Sequence, residues 1–119
     1  MMYIQGFVVA VPESNKQAYR DVAAKFADFA KDFGVLEIME AWEADVPDGK
    51  QTDFRRAVQI EPGEKVVFSW VIWPDKATAD AAHARMMSDP RMKDMGEMPF
   101  DGKRMIIGGF EPLLSVGRD

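Results

Sequence analysis

The chain has 119 residues, of which 47% are hydrophobic and 29% are charged, a balance typical of a globular domain with a single core. Its 15 Lys and Arg against 20 Asp and Glu give a formal net charge of -5, which argues against nucleic acid as a partner because phosphate binding depends on cationic side chains. The absence of cysteine excludes disulfides, thiolate nucleophiles and cysteine-held metal clusters.

Hydropathy along the chain gives no support for a membrane partner. No segment approaches the roughly 20 consecutive apolar residues that a spanning helix needs. The start, Met1-Met-Tyr-Ile-Gln-Gly, lacks the basic region, the apolar core and the small-residue cleavage site of a secretory signal. We therefore expect one cytoplasmic domain that covers residues 1–119.

The first two predicted elements are a strand and a helix. From Tyr3 to Val11 both alternating sets of residues are largely apolar, which predicts a strand covered on both faces. Ser14 to Gln17 matches a capping box and predicts the start of a helix. Gly34 is placed to end that helix, whose apolar positions recur every three or four residues: Ala18, Tyr19, Val22, Ala23, Phe26, Phe29, Ala30 and Phe33.

Two further strands follow, separated by a long connection. The first, Val35 to Trp42, is interrupted by two acidic residues that alternation places on opposite faces, Glu37 and Glu40. The second, Lys65 to Trp73, is apolar on both faces and is predicted to be central. The connection from Asp45 to Glu64 exceeds the roughly 12–15 residues common for loops. It is therefore functional, mobile or an added hairpin.

The last part of the chain predicts a helix, a turn and a strand. Asp75 can cap a second helix, and Asp101-Gly102 favours a tight turn with the glycine at positive φ. A final strand is predicted from Met105 to Leu114, buried as far as Phe110, with Gly108-Gly109 marking a close approach or a bulge. The second helix presents an apolar face formed by Ala79, Ala82, His83, Met86 and Met87.

The predicted order of these elements is β, α, β, β, α, β. This order indicates an α+β fold of the ferredoxin-like type, a four-stranded antiparallel sheet with both helices on one face. Three of the strands are apolar on both faces of the sheet. Because both helices lie on one face, the other face needs a different cover. The simplest cover for the open face is a second copy of the chain, which predicts a homodimer.

Five short motifs give information that hydrophobic periodicity does not. They are GFV at 6–8, VVFSW at 66–70, SDPRM at 88–92, MPFDGKRM at 98–105 and GGF at 108–110. Together they resemble the YbaA-like family of uncharacterised bacterial proteins over essentially the whole chain. The resemblance implies a dimeric α/β barrel built from two ferredoxin-like subunits, and it brings no established activity.

The wider dimeric α/β barrel superfamily includes cofactor-independent monooxygenases, haem-degrading enzymes, isomerising enzymes and ligand-binding regulatory domains. This breadth makes the fold a weak guide to the reaction. The resemblance does imply where a ligand would lie, in a pocket of each subunit between the open face of the sheet and the loops that cover it.

Two residues are candidates for acid–base catalysis. His83 is the only histidine; it is either an acid–base group or a hydrogen-bonded residue at the margin of the core. Glu40 lies two residues before Trp42, and burial beside an aromatic ring would raise its pKa and favour proton transfer. The alternative for Glu40 is a solvated strand-edge carboxylate, or one paired with Arg104.

Ligand-binding candidates are Trp42, Ser69, Trp70 and Arg104. The tryptophans could stack a planar ligand, or they pack in the core or at an interface between subunits. The Arg104 guanidinium could bind a carboxylate, or it forms an intersubunit ion pair. The methionines offer either a soft pocket lining or irregular core filling: Met86, Met87, Met92, Met95 and Met98.

No cofactor and no metal is expected, because the sequence has no cofactor fingerprint and only one histidine. Two hypotheses for the function follow. The first is binding of a small apolar or carboxylated ligand between the sheet and the covering loops. The second is an enzyme similar to cofactor-independent monooxygenases or isomerases, acting on a small molecule.

Overall fold

A computed structural model describes residues 2–93 and 96–117. Its helices and strands are β1 (Tyr3–Pro12), α1 (Lys16–Lys31), β2 (Glu37–Trp42), α2 (Phe54–Ala57), β3 (Glu64–Trp73), α3 (Lys76–Met86), α4 (Pro90–Lys93) and β4 (Ile106–Phe110). Single 3-10 turns lie at Glu13–Asn15 and Gly102–Arg104. The predicted ferredoxin-like α+β order is confirmed, with the short helices α2 and α4 added to it.

The four strands form one antiparallel sheet in the order β2-β3-β1-β4. The register sets Val9 opposite Val67 and Phe7 opposite Ile107. Strands β1 and β3 are therefore central, as their two apolar faces predicted. Strand β4 is shorter than predicted and is not buried: it lies at the sheet edge, where Ile107 is 57% exposed.

Helices α1 and α3 lie on one side of this sheet, here called the helix face. Phe29 and Ala30 of α1 and Ala79 and Ala82 of α3 are buried against the sheet. The small alanine side chains allow α3 to pack close to the strands, where Trp73 is fully buried. Alternation along the strands assigns Gln5, Val9, Ser69 and Val71 to the same helix face.

The ends of the helices follow local hydrogen-bonding rules with one exception. Gly34 has a φ of 90° just after α1, and the side chain of Asp75 accepts a bond of 2.7 Å from the amide of Thr78, as predicted. The predicted capping box at Ser14 is wrong, because a 3-10 turn separates Pro12 from α1. Asn15, the cap residue, uses its side chain elsewhere.

The connection between β2 and β3 covers one end of the opposite side of the sheet, here called the open face. It contains the single-turn helix α2 rather than a hairpin, and Asp53 caps that helix by accepting a bond of 2.8 Å from the amide of Arg56. Val58 then packs against Ala10 and Val66. Large apolar side chains of the open face remain exposed: Met39, Phe68, Ile106 and Phe110.

The glycines near the end of the chain divide between two roles. The predicted turn at Asp101-Gly102 is present, although Gly102 is not at positive φ. Gly102 begins a 3-10 turn in which the Asp101 side chain accepts a bond from the amide of Lys103. The close approach predicted for Gly108-Gly109 is present. A methyl group at Gly109 would overlap the Tyr3 hydroxyl, so a side chain of the same subunit explains that glycine.

Candidate functional site

A cavity of about 420 Å³ lies between the helix face of the sheet, the helices α1 and α3, and the segment 98–105. Most of the wall is apolar: Phe7, Val9, Val22, Ala23, Phe26, Val71, Met86, Met92, Met98, Phe100, Met105 and Ile107. Four polar side chains complete it: Tyr19, Glu40, Ser69 and His83. This cavity is on the helix face. The open face, where the family resemblance implies a pocket, carries a separate groove of about 800 Å³ between Ile4, Ile72 and the segment 112–117.

Segment 98–105 forms one wall of the cavity and is attached to the rest of the subunit at several points. The side-chain amide of Asn15 donates a bond of 3.0 Å to the carbonyl of Pro99. The rings of Tyr19 and Phe100 lie 5.7 Å apart, and Met105 packs against the buried valine cluster of β1 and β3. Asn15, at the start of α1, therefore anchors segment 98–105 instead of capping its own helix.

Several of the methionines singled out in the sequence lie in this wall. Met86, Met92 and Met98 line the cavity, and Met105 joins them. Met87 points away and is 83% exposed, whereas Met95 lies outside the described residues. Because the thioether side chain is flexible and polarizable, this part of the wall can adapt to occupants of different shape.

The polar end of the cavity is built on the pair Tyr19 and Glu40. The Tyr19 hydroxyl donates a bond of 2.7 Å to Oε1 of Glu40, and Ser69 lies directly opposite Glu40 in the β2–β3 register. Burial raises the pKa of Glu40, and hydrogen bonds from the Tyr19 and Ser69 hydroxyls oppose that rise. Glu40 also keeps contact with solvent at the edge of the sheet.

Tyr19 responds to the same surroundings. Burial raises the pKa of its hydroxyl well above the usual range, and the negative charge of Glu40 raises it further. Tyr19 therefore keeps its proton at neutral pH and acts as a donor, while Glu40 is the group that can take up a proton. An acceptor carboxylate beside an apolar cavity suits both hydrogen bonding and general base chemistry.

The other end of the cavity carries a hydrogen-bonded chain of three side chains. The indole of the buried Trp73 donates a bond of 2.8 Å to Oε1 of Gln5, and Nε2 of Gln5 lies 3.0 Å from Nε2 of His83. An indole N–H can only donate, so the Gln5 oxygen must face it and the Gln5 amide must donate to His83. The ring proton of a neutral His83 is then on Nδ1.

Arg104 does not lie in this site. Its guanidinium makes a bidentate pair with Glu64 at 2.8 and 2.7 Å, and its Nε donates to Asp101 at 3.1 Å. This contact with Arg104 lowers the pKa of Glu64. The pair is within one subunit, and no pair between Arg104 and Glu40, which the sequence also allowed, is present among the described residues.

The two remaining tryptophan candidates lie apart from the cavity. Trp42 lines an outer groove of about 740 Å³ between α1 and β2, where the ammonium of Lys16 lies 5.1 Å from its ring centroid. Trp70 lies on the open face and donates a bond of 2.6 Å to Glu37. The structure therefore brings together Glu40, Ser69 and His83, and places the other candidates elsewhere.

Two polar residues of the site were not singled out from the sequence. Tyr19 was assigned to the apolar stripe of the first helix, where its ring is indistinguishable from a core phenylalanine. Gln5 is the one polar side chain between Tyr3 and Val11. A buried amide in an otherwise apolar central strand requires partners, and this requirement was the available signal.

The described part of the chain has neither a group of three potential metal ligands close enough to hold an ion nor a helix long and apolar enough to cross a bilayer.

Known proteins similar in sequence identify the family. The model of a family described as "Protein of unknown function (DUF1428)" matches residues 2–102. The chain belongs to this family. The "Uncharacterized protein YbaA" of Escherichia coli strain K12 is 62% identical over 115 residues, which are 96% of this chain and 98% of that protein. The resemblance carried by the five motifs is confirmed, and the DUF1428 family brings no established activity with it.

Solved structures with a similar fold are more distant in sequence. A dimeric ferredoxin-like protein of unknown function from Jannaschia sp. CCS1 has a TM-score of 0.60 at 14% identity, over 92% of this chain and 99% of that one. SnoaB, a cofactor-independent oxygenase from Streptomyces nogalater, has a TM-score of 0.58 at 13% identity, over 98% of both chains. At these identities the likeness establishes the ferredoxin-like fold alone.

Proposed function

We propose that this protein is a homodimer that binds a small, largely apolar molecule in the helix-face cavity of each subunit. The observation that carries the proposal is the cavity itself, about 420 Å³ with a mostly apolar wall. The space is open to solvent on one side, so an empty cavity leaves its apolar lining in contact with water, and an apolar ligand would remove that contact. Sites for small ligands have this size and this character.

The composition of the wall supports an apolar ligand over a carboxylated one. No Lys or Arg is among the described residues that line the cavity, and Arg104 is held by Glu64 and Asp101. Adaptable methionines and the aromatic rings of Phe7, Phe26 and Phe100 favour a flat or compact apolar body. The polar groups at the two ends then set its orientation.

Blocking the cavity tests the proposal. Ala23 of α1 lines both the cavity and the outer groove, whereas the neighbouring Ala24 lines the groove alone. Ala23→Phe should fill the entrance and weaken the binding of N-phenyl-1-naphthylamine by about tenfold or more. This neutral probe brightens in apolar surroundings, so a fluorescence titration measures its affinity.

Ala24→Phe is the matched control, because it adds the same ring to the same helix without narrowing the cavity. It should bind the probe as the unmodified protein does. The proposal is wrong if the unmodified protein leaves the probe dark, or if both variants bind it equally well.

The homodimer is supported by the apolar side chains left on the open face and by two similar structures that are described as dimeric. Contiguous exposed apolar surface of this kind marks an interaction site. A second subunit placed sheet against sheet would bury it. A cytoplasmic location stays a prediction from the sequence.

An enzyme similar to cofactor-independent monooxygenases or isomerases is the second candidate, and Glu40 is the observation that favours it. A carboxylate whose pKa burial has raised can take a proton from a bound substrate. The test is to incubate the molecule that co-purifies with the protein with fresh protein in air and deuterated water. Gain of oxygen or deuterium by the molecule would support an enzyme. An unchanged molecule would support the binding function alone.

A further inference from the structure

Glu40 lies where the cavity and the outer groove meet. Tyr19, Ala23 and Glu40 are the three residues that line both spaces, and the Tyr19–Glu40 hydrogen bond joins α1 to β2 between them. A molecule that enters from the groove therefore passes this carboxylate. Glu40 is also the one acidic side chain among the described residues of the cavity wall.

Glu40 has acceptor capacity left for a ligand. A carboxylate offers about four lone-pair sites on its two oxygens, and the Tyr19 and Ser69 hydroxyls occupy two of them. No ion pair of Glu40 occurs within the described residues. Two cationic residues, Lys16 and Arg20, line the groove, and the ammonium of Lys16 lies against the Trp42 ring. The boundary between the two spaces thus presents a negatively charged acceptor that has no ion pair within the described residues.

We infer that the ligand carries a hydrogen-bond donor, a hydroxyl or an amine, which binds Glu40, and that the same carboxylate excludes carboxylated ligands. The inference rests on the proposed binding function and names the chemical class of its ligand. A donor gains a charge-assisted bond at Glu40. An anion at the same position meets the like charge of Glu40 and is repelled by it.

A matched pair of probes tests this selectivity. We would measure 2-naphthalenemethanol and 2-naphthoate, which share one ring system, by displacement of N-phenyl-1-naphthylamine. The unmodified protein should bind the alcohol about tenfold or more tightly than the carboxylate. Glu40→Gln keeps the shape but removes the charge, so the carboxylate should bind more tightly and the ratio should fall to about threefold or less.

Two further variants complete the experiment. Glu13→Gln removes a charge from the groove alone and should leave the ratio unchanged. Glu40→Asp retains the charge and should keep the preference for the alcohol, which separates charge from folding if Glu40→Gln is unstable. Retained binding of N-phenyl-1-naphthylamine shows in each case that the cavity is intact.

The outcomes distinguish this inference from the function on which it rests. If N-phenyl-1-naphthylamine binds but the carboxylate binds as tightly as the alcohol, the inference is overturned and the binding function stands. The same holds if Glu40→Gln and Glu13→Gln give equal ratios. If N-phenyl-1-naphthylamine itself does not bind, the proposed function fails first.

Discussion

Phe68→Glu is expected to convert the protein from a dimer to a monomer. Phe68 lies on the open face, where it is 42% exposed. Its ring centroid is 6.1 Å from that of Phe54 and 5.7 Å from that of Trp70. A glutamate there can reach solvent in a single subunit, but in a sheet-to-sheet dimer it would be buried without a partner. The dissociation constant should rise by about a hundredfold or more, measured by analytical ultracentrifugation.

Met87→Glu is the matched control for this prediction. Met87 follows α3 on the helix side and is 83% exposed, so the same change of charge should leave the dimer intact. Sedimentation of the unmodified protein as a monomer at low micromolar concentration would contradict the proposed dimer. If the Phe68→Glu variant has the same sedimentation coefficient as the unmodified dimer, the interface does not lie on the open face.

Gln5→Leu is expected to destabilise the fold and to allow both neutral tautomers of His83. It leaves the Trp73 indole N–H without its acceptor at a position where Trp73 is fully buried. An unsatisfied buried donor costs about 1–3 kcal/mol, which urea denaturation would detect. His83 also loses its bond from Gln5, so its proton becomes free to exchange between the two ring nitrogens.

Nitrogen NMR can follow this change directly, because the chain has a single histidine. The unmodified protein should show the proton of neutral His83 on Nδ1, and Gln5→Leu should show a mixture of tautomers. Gln17→Leu is a suitable control, since Gln17 donates its side-chain bond to Asp21 on the exposed side of α1, and it should change stability by about 0.5 kcal/mol or less. A proton on Nε2 of the unmodified protein would rule out the Trp73–Gln5–His83 chain as described.

The architecture was predictable because each element carries its own periodicity. Apolar residues on both faces of Tyr3 to Val11 and Lys65 to Trp73 indicated strands covered on both sides, and the stripe from Ala18 to Phe33 indicated a helix. Features that depend on neighbours distant in the chain were not predictable. Asn15 gives its side chain to Pro99 rather than to its own helix, and β4 is exposed because it pairs with β1 alone.

The residues of the site also differ in how far they could be predicted from the sequence. Glu40 and His83 could be singled out as unusual residue types in apolar surroundings, and both line the cavity. Arg104 looked equally suitable, but its partner Glu64 is 40 positions away in the chain, and sequence patterns do not show such pairs. The helix face could not be chosen from the sequence either, since the cavity depends on how segment 98–105 folds back over the sheet.

The location of a bound ligand tests the central claim most directly. A crystal structure of the protein with N-phenyl-1-naphthylamine should show the probe between the helix face, α1 and segment 98–105, beside Tyr19 and Glu40. Density for the probe on the open face, with the helix-face cavity collapsed or filled by side chains, would contradict the account.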